Sequence, residues 1–591
     1  MPQLLTVITI VACIFALAYV VYARVLSQYF ELDDERPTPA HAHEDTHEYV
    51  PSRKIELFGH HFSSIAGGAP IIGPITAALA WGWAPALIWI VVGTVVYGGL
   101  NDLATLTSSM RHEGRSVGHI FGKYAGNRGK RLLLTLAIVA NLLVIGVLSL
   151  VTAVIFDAFP AAATASIVYL LLAIAFGFVR RYTPVPFVLA TIVFVGGVFG
   201  GVFVGLEYPI TLIPAGEATL LPTVISPNVS AWLAVLLLYA FAASVLPVWT
   251  LLQPRDFLSS FLLYAGLGGA VLAIIVGTLF GTAETSMTMN LDPFTGFMSP
   301  AFEGMGPLLP MLIPTIFCGA VCGLHSMVCC GTTPKQINKE TDATAIGYGT
   351  TLAEGLLAVI AIGTVAVIPT IPSGEGIDLA LPAFADGGAL ILSSLGIPTG
   401  VGAPFMALVL SAFALTTVDT SIRLGRYFLD DMIDTDTTAN VTAQAMTNKY
   451  LSGGAQAILA YLLVASGSWA TVWPLFGGSV QVFAGLSMIT VAIWIVNWDE
   501  RKSVIAFLAG AAFILIASLS ALLYIASQNA RSLLDPTWVV AATPIEVASV
   551  AIQVLVVIIL CGFTAEIVRL AYLHVSDQRG SPIRRFVPGD D

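Results

Sequence analysis

The chain has 591 residues, of which 57% are hydrophobic and only 10% charged. That is too apolar for a soluble domain of this length and marks an all-α polytopic membrane protein. The net charge of −11 is spread over many loops, and no basic cluster exceeds Arg128, Lys130 and Arg131, which excludes a nucleic-acid partner.

The first apolar stretch, 2–23, lacks a basic leader and a small-residue cleavage site, so it reads as a retained helix and not a signal peptide. Further spans follow at about 58–81, 83–109, 132–156, 160–179, 184–205, 229–250 and 256–280. The second half continues at about 309–331, 344–370, 401–427, 450–470, 474–497, 503–526 and 545–572. These make about fifteen spans, each with enough apolar residues to cross ~30 Å of hydrocarbon as a helix. The polar stretches 116–130 and 431–447 should lie along the membrane surface, and 372–400 reads as an external hairpin or cap.

Alternating the loops between two sides places every one of the 25 Lys and Arg residues except Arg531 on one side. Loops 207–228, 282–308 and 372–400, on the other side, contain neither residue type. Basic residues near span ends resist translocation, so the basic side is expected to be the cytoplasm. The plasma membrane is the expected location, with the N-terminus outside and the C-terminus inside. Cys13, Cys318, Cys322, Cys329, Cys330 and Cys561 fall in apolar stretches, which implies no disulfide framework. The four cysteines from 318 to 330 read as small packing residues.

Three spans are interrupted near mid-depth. The first carries Ser64, Gly67, Gly68, Ala69, Pro70 and Pro74, the second Ser244, Pro247 and Trp249, and the third Gly319, Gly323, His325 and Ser326. Proline removes a backbone donor and glycine weakens a helix, and the freed carbonyls cannot face lipid. Breaks one and two lie five spans apart, the offset of a five-plus-five inverted repeat with discontinuous helices. The expectation is a cavity bounded by Gly67–Pro70, Ser244–Trp249 and Gly319–Ser326.

At these residues the sequence resembles the carbon starvation protein A (CstA) family. The resemblance is carried by YVPSRKIELFGHHFSSIAGGAPIIGP (49–74), GGLNDLATLTSSMRHEGRSVG (98–118), ASVLPVWTLLQPRDFLSS (243–260) and CGAVCGLHSMVCCGTTPKQI (318–337). IGYGTTLAEGLLA (346–358), TTVDTSIRLGRYFLDD (416–431) and VWPLFGG (472–478) add to it, from about residue 30 to 500. The resemblance implies proton symport of peptides or pyruvate and a leucine-transporter-like inverted-repeat core. Where the family pattern expects an Asn-Gln pair after VWPLFGG, this chain has Val480-Gln481. The expected organisation is an extra helix and loop over 1–57, a transport core over 58–430, and C-terminal helices with a tail over 431–591.

Several residues have chemistry to offer such a carrier. Glu354 lies well inside its span, where a charge costs at least ~2.5 kcal/mol, so it either carries protons or bonds two helices as a neutral acid. Asp102 is the second such acid, and His325, beside Gly323, relays protons, meets an anionic substrate, or is a satisfied core histidine. The expected substrate contacts are Ser64, Gly67, Gly68, Ala69, Pro70, Ser244, Trp249 and His325. His60, His61, Asp256, Asp419 and Arg423 are expected at a cytoplasmic gate, with Asp419 and Arg423 spaced i,i+4 as a pair. Hydroxyls of Ser326, Thr332 and Thr333 suit a sodium ion, the alternative to proton coupling. His41, His43 and His47 offer a weak transition-metal set in a loop. No covalent cofactor, no phosphate-binding GxxxxGK[ST] run and no enzyme chemistry is expected, and the oligomeric state is open. The reading is an ion-coupled importer of small carboxylates such as pyruvate or of short peptides; the alternative is a nutrient-binding membrane sensor.

Overall fold

The computed structural model describes residues 2–45, 49–214, 225–247, 250–281, 286–299, 305–369, 377–433, 448–464, 469–499, 501–542 and 544–579. Among them no strand forms, and three isolated bridges, Gln3–Thr288, Ser52–Ile337 and Met298–Pro307, only tie loops together. The helices used below are α1 (Leu4–Tyr29), α2 (Lys54–Ile65), α3 (Ala69–Trp81), α4 (Trp83–Met110), α5 (Val117–Ala158), α6 (Pro160–Tyr182), α7 (Phe187–Glu207), α8 (Pro227–Val245) and α9 (Pro254–Phe280). They continue with α10 (Leu308–Thr315), α11 (Gly323–Gly331), α12 (Thr344–Ala366), α13 (Leu379–Leu395), α14 (Thr399–Ile433), α15 (Lys449–Val464), α16 (Val472–Trp498), α17 (Ile505–Leu534) and α18 (Glu546–Val575).

Twelve of these are long and apolar enough to cross a membrane, and the bent pair α2–α3 makes thirteen. About fifteen spans are expected from the sequence. The difference lies in α10–α11, broken into pieces of 8 and 9 residues, and in α15, which has 16. At 1.5 Å per residue none of these pieces covers ~30 Å of hydrocarbon alone. The described part of the expected external hairpin is the short apolar helix α13, and most of 431–447 lies outside the described residues. The surface stretch at 117–125 runs into the span of α5 through a kink at Gly126.

The bundle is inside-out by the standard of a soluble protein. Leu171, Ile192, Leu279, Ile516 and Ile558 are exposed, whereas Asp102, Arg255, His325, Glu354 and Asp419 are fully buried. Aliphatic side chains can face lipid at no cost, while buried ions need partners that only the interior supplies. The chain is therefore a multi-pass membrane protein. The apolar window of α16 is 100% buried and forms the centre, while that of α7 is only 22% buried and lies at the rim.

Loops gather at two ends. Arg36 and Arg111 both pair with Glu340 (2.8 and 3.0 Å), Lys54 with Asp342 (3.4 Å), Lys502 with Glu31 (2.8 Å) and Arg128 with Glu566 (3.0 Å). This charged end joins the loops after α1, α4, α11 and α16. At the other end the Leu4 amide donates to Met287 O (2.9 Å), the Asn290 amide to Ala366 O (2.6 Å) and the Trp83 amide to Asp292 O (3.3 Å).

All three interruptions are present. Helix α2 stops at Ile65 and α3 restarts at Ala69 with a 46° bend. Pro70 falls in the first turn of α3, where its missing N–H is no loss. Between α10 and α11 the chain is extended or turned, with Gly319 at φ +81°, a left-handed value that glycine adopts without strain. A β-carbon on Gly73 would strike Thr315 O, Gly319 sits against Pro70, and His61 bonds Thr333. Residue numbers rise along one broken helix as they fall along the other, so the first and third breaks pack antiparallel.

Candidate functional site

The antiparallel breaks bring three elements onto one buried cluster. Asp102 comes from α4, His325 from the first turn of α11, and Glu354 from α12. His325 Nδ1 lies 2.8 Å from Asp102 Oδ2, and its Nε2 lies 3.1 Å from Glu354 Oε2. The second contact is close but misaligned, so Nε2 and Oε2 both lack a hydrogen-bond partner. The other oxygens are held: Thr351 donates to Asp102 Oδ2 (2.6 Å), Asn101 to Asp102 Oδ1 (2.9 Å), and the Gly319 amide to Glu354 Oε1 (3.1 Å). One acid thus reads the backbone of the break itself. Both α4 and α12 contain a π-helical turn, at Gly93–Gly98 and Thr344–Gly349, shortly before these residues. Such turns re-phase the side chains that follow. Gly98 lets α4 approach so closely that a β-carbon there would strike Ala320 O.

The open backbone of the third break is satisfied by side chains from outside it. Trp473 Nε1 donates to Thr315 O (3.2 Å), Trp89 Nε1 to Ile316 O (3.0 Å), and the Thr94 hydroxyl lies 2.8 Å from Gly319 O. Gln481 Nε2 reaches Ile313 O (3.0 Å) and Val321 O (3.4 Å), while Ser518 donates to its Oε1 (3.1 Å). An orphaned carbonyl in a membrane interior costs several kcal/mol, so these donors are what make the break tolerable. Trp473 and Gln481 come from the stretch 431–591, assigned from the sequence to helices after the core.

The second break belongs to a different neighbourhood. Its carbonyls face α14: Arg423 Nη2 reaches Ala243 O (3.3 Å) and Leu246 O (3.2 Å), and Arg426 Nη1 reaches Ser244 O (2.6 Å). Among the described residues, the first break packs on the third, while the carbonyls of the second are met by α14. Trp249 lies outside the described residues. Arg423 does not pair with Asp419, because backbone acceptors exposed by the break are nearer to its guanidinium. Asp419 instead meets Arg255 of α9, which also donates to Tyr239 OH (3.0 Å) and Asp256 Oδ1 (2.9 Å). His60 Nδ1 stands 3.6 Å from Asp256 Oδ2, which links α2 to this second cluster.

The remaining candidates scatter. Ser64 donates to His60 O (2.8 Å) and Ser244 to Phe241 O (2.8 Å), so both hydroxyls are spent within their own helices. Gly67 and Gly68 pack on Thr417 and Ala414 of α14, and Ala69 opens α3. Ser326 Oγ takes the Asn101 amide (2.9 Å), Thr333 Oγ1 lies 2.7 Å from His61 Nδ1, and Thr332 Oγ1 is buried without a partner. Ser326 and Thr333 thus bond two different side chains. His41 bonds Asn338 (2.8 Å), His43 stacks edge-on against Tyr49, and His47 lies outside the described residues.

Asn101, Thr351, Tyr239 and Arg255 escaped the sequence reading. Arg255 carried a signal, a cation just inside an apolar run after Pro254, but counted only as a loop charge. Two loop strings also deserve correction as motifs. His43-Glu44-Asp45-Thr46-His47 spells HExxH, yet Glu44 and Asp45 are not helical, whereas the metal-binding motif sits on a helix, and Thr46 and His47 lie outside the described residues. Gly114-Arg115-Ser116-Val117-Gly118 spells GxSxG, yet Ser116 is the N-cap of α5, accepting from the His119 amide, and no strand precedes it. Cys318 and Cys322 approach to 3.0 Å between sulfurs beside His325. Two zinc–sulfur bonds of ~2.3 Å at a tetrahedral angle hold sulfurs about 3.8 Å apart, so this pair as placed does not seat zinc.

Comparison with known proteins gives this geometry a context. A family model described as carbon starvation protein CstA matches residues 3–374 and 376–521. The peptide transporter CstA of Bacillus subtilis is 30% identical over 86% of this chain and 88% of its own. That of Helicobacter pylori is 28% identical over 89% and 82%, and the pyruvate/proton symporter BtsT of Escherichia coli 26% over 86% and 80%. A solved Na+-coupled sialic acid symporter overlaps 86% of this chain and 97% of its own at a TM-score of 0.43 and 14% identity, too distant to carry an argument.

Proposed function

The chain belongs to the carbon starvation protein CstA family, and on that premise we propose that it is a proton-coupled importer of small carboxylates such as pyruvate, or of short peptides. The observation that carries this reading is the buried Asp102–His325–Glu354 cluster on the third break. With all three groups ionised the cluster bears a net charge of −1, and one added proton brings it to zero. A proton entering from one side and leaving to the other changes the electrostatics of the break that lines the substrate route. The unaligned Nε2 and Oε2 atoms leave room for that rearrangement: a small ring rotation makes or breaks their hydrogen bond. The antiparallel packing of the first and third breaks sets two open helices side by side, and the substrate is held where both are open.

Sodium is the alternative coupling ion, and the bonds of Ser326 to Asn101 and of Thr333 to His61 weigh against it. The Arg255 cluster, with His60, Asp256 and Asp419, is the inner gate of this reading, since it ties α9 to α14 and α2 at the charged end. That end faces the cytoplasm by the positive-inside rule. A cysteine at Asn290 should then react with an impermeant reagent from outside, and one at Gln336 only after permeabilisation.

The decisive experiment is uptake into proteoliposomes with each ion gradient imposed alone, offering pyruvate, amino acids, dipeptides and tripeptides. Accumulation driven by an inward proton gradient is expected. Accumulation that follows a sodium gradient and ignores protons would overturn the coupling assignment.

A further inference from the structure

Among the described residues, Arg255 is the only Lys or Arg that is fully buried. Every element around it takes part in holding it. Tyr169 of α6 donates to its carbonyl (2.9 Å), Tyr239 of α8 accepts from Nη1 (3.0 Å), and Asp256 accepts from Nη2 (2.9 Å). Asp419 of α14 pairs with Nη1 through Oδ2 and also accepts from Tyr239 OH (3.2 Å). The pairing is nevertheless incomplete. Arg255 Nε has no partner, and neither has Asp419 Oδ1.

A guanidinium presents a planar fork that matches a carboxylate through two parallel bonds, and that match is its main advantage over lysine. Asp419 reaches Nη1 through one oxygen and Asp256 holds Nη2, which leaves Nε without an acceptor at a depth where an orphaned polar atom is costly. The position is equally telling. His60 of α2, the helix that ends in the first break, stands 3.6 Å from Asp256 beside the pair. Arg255 itself opens α9 directly after the second break.

We propose that Arg255 is the carboxylate-recognising residue of the transport site, and that Asp419 is an internal stand-in which the substrate's carboxylate replaces. The proposal rests on the transport reading above and narrows its substrate class to molecules with a free carboxylate. When a substrate's carboxylate takes Nη1 in place of Asp419, Asp419 loses its partner and the tie between α9 and α14 loosens. Recognition and release of the inner gate then become one event.

The test is equilibrium binding of radiolabelled pyruvate and dialanine to the purified full chain, beside competition by pyruvamide and dialanine amide. Asp419→Asn removes the anion that competes for Nη1 while Asp256 stays on Nη2, so both acids should bind about tenfold tighter, with the amides unaffected. Arg255→Gln/Asp419→Asn removes both charges and keeps the shape. It should elute as a folded monodisperse protein, yet bind the acids about tenfold or more weaker and no longer prefer them to the amides. If the double variant does not fold, Arg255→Lys serves: it keeps the charge, loses the fork, and should lose most of the acid-over-amide preference. A double variant or Lys variant that keeps the wild-type preference overturns the proposal, because the pair is then purely structural. Failure of the transport reading looks different. Wild-type vesicles that bind pyruvate or dialanine without accumulating either would sink that reading, while the variants' binding still decides Arg255.

Discussion

The two buried charged clusters differ in one chemical respect, and it separates their roles. Around His325 every member can gain or lose a proton, and the critical contact, Nε2 to Glu354 Oε2, is close without being a formed hydrogen bond. Around Arg255 the guanidinium itself stays charged under all physiological conditions, held by two acids and a tyrosine hydroxyl. The cation of the first cluster can lose its proton; the cation of the second can only change its partner. A symporter needs both devices, one for the ion and one for an anionic cargo. The breaks keep them apart: the first and third frame the protonatable cluster, while the second is braced by Arg423 and Arg426.

The largest effect should come from the protonatable side. Glu354→Gln keeps the shape and accepts from the Gly319 amide but cannot cycle a proton. Accumulation driven by a pH gradient should fall to the level of empty vesicles, while counterflow exchange at equal pH persists in part. Wild-type accumulation by this variant would move the coupling role elsewhere.

On the fixed side the expected effect is on stability. Asp419→Ala leaves the Arg255 guanidinium buried with less compensation, at a cost of about 3–5 kcal/mol. Thermal unfolding in detergent should show a fall in midpoint far beyond that of an exposed-acid control. No shift would mean that Asp256 and Tyr239 suffice, and that the cluster is looser than its geometry implies.

A smaller change is expected where the two sides meet the same scaffold. Gln481→Ala orphans the carbonyls of Ile313 and Val321 and the hydroxyl of Ser518, costing about 1–3 kcal/mol. It should weaken the third break and therefore lower coupled uptake more than substrate binding. Equal losses in both would erase the distinction drawn between the clusters.

The smallest effect belongs to the exposed charged end. The Thr341 hydroxyl donates to Asp34 and holds its carboxyl below the usual carboxylate range. A lowered folded value means the contribution is present above the unfolded value of about 3.9 and is lost as pH falls through the folded one. Thr341→Ala should therefore lower the unfolding midpoint slightly at neutral pH and not at strongly acid pH. Solvent screening keeps the change small, and a large change would mark this end as part of the gate.

Much of this molecule was legible in the chain because a membrane imposes few rules and imposes them strictly. Length of apolar run fixed most spans, loop charges sorted the ends, and Pro70, Gly67 and Gly319 marked breaks whose backbone has to be satisfied internally. Glu354, Asp102 and His325 stood out singly, since an ionisable residue inside a span is rare enough to notice. Their meeting was not legible: the residues lie up to 252 positions apart in sequence, and packing of α4 and α12 against α11 brings them to 2.8 and 3.1 Å.

The sequence by itself determined what kind of environment each segment tolerates, because transfer into lipid depends on residues taken one at a time. It determined that the chain is helical, that it crosses the membrane many times, and that some helices are interrupted. Only the tertiary structure decided which interruption faces which. It turned Arg423 from Asp419 to the carbonyls of Ala243 and Leu246, and gave Asp419 to Arg255 instead. A hydrogen bond or ion pair is a relation between two positions, and its energy depends on a separation that local periodicity does not specify.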